Sequence, residues 1–192
     1  YCTPGYISQM PVCGNDIINA VGAEASSQEN PNKGAEKAID GDYSTTRWSS
    51  AFQDGEWIYI DLGESTLIDS LSIYWENAYA EDYALKIRNS PTETWTLLKD
   101  VESSTGGVDI HRSLNVVASE VKLTSVHRAT GYGTSMYEIE VRGTQDRDCI
   151  NFCEFYYPCS YTHLTLPTKR IGSNYVAPVP LHNKTMSRPH TS

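Results

Sequence analysis

From Glu56 to Arg142, apolar and polar residues alternate with a period of two. That spacing sends successive side chains to opposite faces of a β-strand. "EWIYIDL" sets Ile58, Ile60 and Leu62 against Trp57, Tyr59 and Asp61. "LIDSLSIYWE" puts Leu71, Ile73 and Trp75 on one face, and "YALKIRNS" does the same with Tyr83, Leu85 and Ile87. "TWTLLKD", "VDIHRSLNV", "SEVKLTSVHR" and "MYEIEVRG" continue the pattern, and turn formers fall between the runs: Gly63, Asn89-Ser90-Pro91, Gly106-Gly107 and Gly131 to Gly133. Seven or eight short strands so punctuated predict an all-β fold, an antiparallel β-sandwich of the jelly-roll type. No stretch of useful length carries a helical period.

The two ends read differently. Residues 1–17 and everything past Gly143 lack the alternation, and the tail from 160 is rich in Pro, Ser, Thr and Asn. We read 160–192, including the Asn183-Lys184-Thr185 sequon, as a disordered or non-native tail. "SYTHLTLPTKRI" within it resembles a translated sequencing adapter. The chain opens at Tyr1 without a charged and then apolar leader, so a secretory signal is expected to be absent or already removed.

With 192 residues, 39% of them hydrophobic, the chain can bury a core of its own. No run of about 18 apolar residues is present to form a membrane-spanning helix. The formal net charge is −9, and residues 18–143 hold 10 Lys and Arg against 20 Asp and Glu. Such a surface repels phosphate backbones, which argues against nucleic acid as a partner. It disfavours membrane lipid as well, because anionic headgroups are recognised by clustered Lys and Arg.

The five cysteines sit at the edges: Cys2 and Cys13, then Cys149, Cys153 and Cys159. A cysteine-free middle flanked by cysteine-bearing ends suits an extracellular chain cut from a multidomain protein. Cys2–Cys13 is the expected local pair, and the odd count leaves one cysteine without a partner. The C-x3-C-x5-C-x3-H spacing from Cys149 to His163 is not a standard zinc arrangement.

The densest polar chemistry lies in "EKAIDGDYSTTRWSS", residues 36–50, where Asp40, Asp42, Ser44, Thr45 and Thr46 crowd around Gly41 just before Trp48. Three readings compete: a solvated Asx-type turn, a metal loop, or a carboxylate pair for acid–base catalysis. His111 and His127 fall within strand-like runs with no accompanying G-x-S-x-G or metal-ligand spacing, so catalysis is not expected.

Taken together, "ASSQEN", "KAIDGDYSTTRWSSAFQDGEWIYIDLG", "YWENAYAEDYALKIRNS" and "GYGTSMYEIEVRG" resemble the discoidin, or F5/8 type C, family, whose bacterial-type members are family 32 carbohydrate-binding modules. The resemblance spans about residues 20–143, with the segments in order and at family spacing. It implies a galactose-binding-like β-sandwich that binds ligands through loops at one end and has no catalytic role. It also implies a structural calcium loop. The ligands would be the carbonyls of Lys37, Asp42 and Tyr137, together with Asp40, Thr45 and the carboxylate of Glu138. Trp48 would be the core residue that this loop positions.

By the same resemblance, the ligand loops supply Glu29, Glu76, Tyr79, Arg128 and Tyr132 toward a glycan or polysaccharide. The Arg and nearby Asn of galactose-binding members are replaced here by Glu76, and "WENAYAEDY" looks like the branch that takes β-glucan or chitosan-type polymers. Residue by residue, Glu29 and Glu76 also fit the plain role of solvated loop acids, and Tyr132 could pack on a neighbouring loop. Trp75 reads as core, and Trp57 and Trp95 as structural strand residues. A protein ligand, as in adhesion receptors of the family, is the alternative. The expected organisation is a cysteine-containing segment over 1–17, the binding domain over 18–143, a Cys-rich piece of a neighbouring domain over 144–159, and the tail.

Overall fold

The computed structural model describes residues 13–156, with side chains through Asn151. Nine strands and one helix follow in order: β1 Asp16–Ile18, β2 Gly22–Ala25, β3 Trp48–Ser49, β4 Trp57–Trp75, β5 Ala80–Arg88, β6 Thr96–Val101, β7 Val108–His111, β8 Val116–Arg128, β9 Ser135–Thr144 and α1 Arg147–Tyr156. A 3-10 turn, Ala35–Ala38, lies between β2 and β3. Every pairing is antiparallel, and the main path runs β1-β9-β4-β8-β5-β6.

The long strand β4 makes the sandwich. Its first part, Trp57–Asp61, pairs with β2 on one side and β8 on the other. Its last part, Leu71–Tyr74, pairs with β7 and β9. The register breaks between Asp61 and Thr66, and Gly63 adopts a φ of +78° there. Its N–H donates to Asp61 Oδ1 at 2.8 Å. Gly63 was expected to end a strand. The positive φ that glycine alone adopts without strain instead kinks a strand that continues through it.

The predicted alternation is what the fold buries. Ile58, Ile60, Leu62, Leu71, Ile73, Trp75, Tyr83 and Leu85 are all at most 4% exposed. They pack with Trp48, Val116, Leu123, Met136 and Val141 in one cluster. Each such side chain contributes about 1.5–3 kcal/mol relative to an exposed one. Trp48 is fully buried, and its indole N–H donates to Ser27 O at 3.0 Å. Both Trp48 and Trp75 are therefore core residues, as read from the sequence.

The structure differs from expectation at the ends. Cys13 forms a disulfide with Cys149, 136 residues away, so its partner is not Cys2. The disulfide places α1 beside β4, where buried Cys149 and Ile150 pack on Leu67, and β1 joins the edge of β9. This ten-residue helix was not foreseen although six of its residues are apolar, because fewer than three turns give a helical period little length in which to show. Cys2, Cys159, His163 and the segment 160–192 lie outside the described residues, as does the side chain of Cys153.

Candidate functional site

Three loops meet at one end of the sandwich. The first, between β2 and the 3-10 turn, carries Glu29. The second follows β4 and carries Glu76. The third joins β8 to β9 and carries Tyr132. Backbone bonds lock them together: Glu29 N donates to Ser49 O at 2.7 Å, Glu76 N to Ser135 O at 3.1 Å, and Ser50 N to Thr134 O at 2.9 Å. The closeness of the third loop depends on Gly133. A Cβ there would lie 2.1 Å from the carbonyl oxygen of Ser50.

These loops enclose an open hollow of about 400 Å³. Glu29, Glu76 and Tyr132, all predicted, line it, and so do Lys33, Arg47 and Thr130, which were not. Glu29 accepts from Lys33 Nζ at 2.6 Å and from Ser49 Oγ at 2.9 Å. The Lys33 hydrogen bond holds the Glu29 carboxyl below the usual range despite some desolvation, and the positive charges of Lys33 and Arg47 reinforce it. Glu76 Oε2 accepts from Ala78 N at 3.0 Å, which fixes the turn after β4. Arg47 Nε is buried and has no hydrogen-bond partner. On the rim, Tyr132 is 67% exposed and meets Phe52, itself 53% exposed, edge to face at 5.8 Å. These two exposed rings, set nearly perpendicular, form an apolar patch beside polar groups. Phe52 was not singled out, because nothing in the sequence marks which exposed aromatic the fold sets beside Tyr132.

Two predicted residues stand back from the hollow. Tyr79 packs against the core, and its ring covers Gly106. Arg128 donates from Nε to Asp54 Oδ1 at 2.8 Å and from Nη1 to the carbonyl of Tyr132 at 3.0 Å. Arg128 therefore braces the loop that presents Tyr132. Trp57 and Trp95 are half-buried around Tyr59, with Lys122 Nζ 4.1 Å from the Trp57 ring and the Arg88 guanidinium 4.3 Å from the Trp95 ring. Cation–π contacts of this kind serve the sheet's own surface.

The 36–50 loop lies against β9. Asp40 and Glu138 line one hollow of about 180 Å³ with Gly41, Tyr43 and Glu140. Gly41 N donates to Glu138 Oε2 at 3.2 Å. Burial, with Asp40 and Glu140 close by, raises the Glu138 carboxyl to about 7 against the loop's backbone donors. Tyr43 donates to Glu140 Oε2 at 2.8 Å, and burial together with that carboxylate raises its phenol to about 12.

Asp42 turns its carboxylate onto its own loop. The Thr45 hydroxyl and the amides of Ser44 and Thr45 donate to it, and its pKa falls to about 2. That is the Asx-turn arrangement. Asp42 is thereby turned onto Ser44 and Thr45, whereas Asp40 is engaged by Thr46 and Lys37. Asp40 accepts from Thr46 Oγ1 at 2.8 Å and lies 3.8 Å from Lys37 Nζ. Opposite Tyr74 and Trp75 the β9 register jumps from Glu138 to Met136, leaving Tyr137 as the extra residue of a bulge. Among the described residues no three His, Cys, Asp or Glu side chains converge as a metal centre. The predicted set relies on two carboxylates and on carbonyls, and hard oxygens of this kind suit calcium.

A β-sandwich whose end loops enclose an open, aromatic-rimmed hollow is the architecture of a binding domain. The sequence model of the F5/8 type C domain matches residues 22–139, and the chain belongs to that family. It is similar to chitosan-binding module 1 of a chitosanase/glucanase from Paenibacillus sp. IK-5. In one structure of that module the identity is 38% and the TM-score 0.62, covering 66% of this chain and 96% of that one. Chitosan-binding module 2 of the same enzyme, solved with chitotriose, is 34% identical with a TM-score of 0.60, covering 65% of this chain and 96% of that one. The family 32 module of C. perfringens NanJ, solved with galactose, is 21% identical with a TM-score of 0.58 over 66% of this chain and 97% of that one, and shares the fold. No curated protein sequence matches the chain.

Proposed function

We propose that this domain is a non-catalytic carbohydrate-binding module for a polysaccharide of the β-glucan or chitosan type. The observation that carries this reading is the convergence of Glu29, Glu76 and Tyr132, from three separate loops, on one hollow. An exposed ring can pack on the C–H face of a pyranose while carboxylates accept from its hydroxyls. The similar modules of the chitosanase/glucanase support the class of ligand.

The 36–50 loop acts as a structural calcium site in this proposal. Asp40 and Glu138 would hold the ion with Thr45 and the carbonyls of Lys37, Asp42 and Tyr137. The buried Glu138 carboxylate beside Asp40 and the bulge at Tyr137 support it. Calcium would supply the compensating charge that joins this loop to β9. The Cys13–Cys149 disulfide supports an extracellular setting.

A glycan array with the full chain, in calcium and again in chelator, tests both points. Binding to one polysaccharide class, lost in Glu76→Ala and Tyr132→Ala, is the expected result. A blank array from folded protein would sink the sugar reading and redirect the search to a protein ligand. A melting temperature unmoved by chelator would sink the calcium site alone.

A further inference from the structure

The hollow holds its own ammonium group. Lys33 Nζ sits 2.6 Å from Glu29 Oε2, with the two side chains 22% and 30% exposed. The pair spans one turn, and backbone bonds on both flanks hold it in place: Lys33 N donates to Asn30 O at 3.0 Å, and Ser49 N to Lys33 O at 3.3 Å. The second wall cation, Arg47, adds its charge to the same carboxylate. Four charged side chains therefore line the hollow, two acidic and two basic, and their formal sum is zero.

A protonated amino sugar is held by a carboxylate whose charge is not already spent. Here the ammonium of such a sugar has to share Glu29 with Lys33, which already neutralises it, and it adds a positive charge beside Arg47 besides. A neutral sugar meets neither cost. Its hydroxyl and ring oxygens can instead accept from the Arg47 guanidinium, which lines the hollow, without bringing a like charge to it.

We infer that Lys33 is a specificity-determining residue: it occupies the amine position at Glu29 and biases the hollow toward uncharged β-glucan chains over chitosan. This rests on the carbohydrate-binding reading above.

Calorimetric titration of the full chain at about pH 5.5, where sugar amines are protonated, tests it with laminaritriose, cellotriose and chitotriose. The wild type should bind a neutral trisaccharide more tightly than chitotriose. In Lys33→Gln the ratio of chitotriose to neutral-sugar affinity should rise about fivefold, the scale of one partly exposed ion pair. Lys33→Met provides a second variant should the first fold poorly. A wild type that prefers chitotriose, or a ratio unmoved in both variants, overturns the inference and leaves the sugar reading standing. No binding of any of the three by folded wild type overturns the sugar reading and the inference together.

Discussion

Arg128 donates from Nη1 to the carbonyl oxygen of Tyr132, four residues later, while its Nε holds Asp54 Oδ1 on the facing loop. The guanidinium thus ties two loops together beneath an aromatic ring that is two-thirds exposed. Arg128→Ala should weaken polysaccharide binding by about three- to tenfold, chiefly through faster dissociation, because the ring loses its fixed position. Asp54→Ala should reproduce part of that loss although Asp54 does not line the hollow. Titration of both variants decides the point, and a silent Asp54→Ala would show that the bond from Arg128 to the Tyr132 carbonyl braces the loop without Asp54.

Gly133 should tolerate no side chain. Ser50 O lies 2.1 Å from the position of an added Cβ, and the Ser50–Thr134 bonds on either side leave little room to yield. Gly133→Ala is expected to cost about 1–3 kcal/mol of stability and to reduce sugar binding, because the third loop must move away from the segment that follows β3. Gly131, with open space around its Cβ position, is the control. Denaturant midpoints of the two variants should differ clearly.

The disulfide should matter more than the small contact it anchors. A cross-link spanning 136 residues restricts the unfolded chain by roughly 3–5 kcal/mol. Cys149→Ser, which removes the cross-link, should therefore lower Tm by about 10 °C. Residues 22–139, which include the whole hollow, should still bind sugar in that variant. Loss of binding at a temperature where the variant remains folded would show that α1 supports the loops.

Stability should fall in mild acid because of His111. Lys99 Nζ can only donate, so the 3.1 Å contact to His111 Nδ1 makes that nitrogen an acceptor and puts the ring proton on Nε2. Nε2 then donates to the Tyr83 oxygen at 2.9 Å, and Tyr83 donates to Asp109 Oδ2 at 2.8 Å. Burial, with Lys99 alongside, lowers the His111 pKa below its ordinary 6.5. The unfolded chain therefore takes up the proton first, and stability contributed by neutral His111 is lost as pH falls below about 6.5. His127, raised by its hydrogen bond to Asp82, acts in the opposite sense, losing its contribution as pH rises through its folded pKa, but it is exposed. His111→Gln keeps an acceptor and a donor, and should flatten the pH dependence of urea midpoints between about pH 7 and 5. An unchanged slope would rule out His111 as its source.

Alternation between Glu56 and Arg142 determined the strands, the core faces and the class of fold, because a half-buried strand must present one face to the core and one to water. Trp75 was recoverable as core on the same ground, and Trp48 through the family resemblance of the 36–50 loop. The family segments carried Glu29, Glu76 and Tyr132 to one place. Only the tertiary structure decided that Gly63 kinks β4 where a turn was expected, that Cys13 pairs with Cys149, and that Tyr79 and Arg128 support the site from outside its hollow. It also brought Lys33 and Arg47 to that hollow and set Phe52 against Tyr132. Local pattern encodes which face of a strand is buried. Which loops touch across an interval of 50 residues depends on how the layers pack, and the chemistry of the hollow is set there.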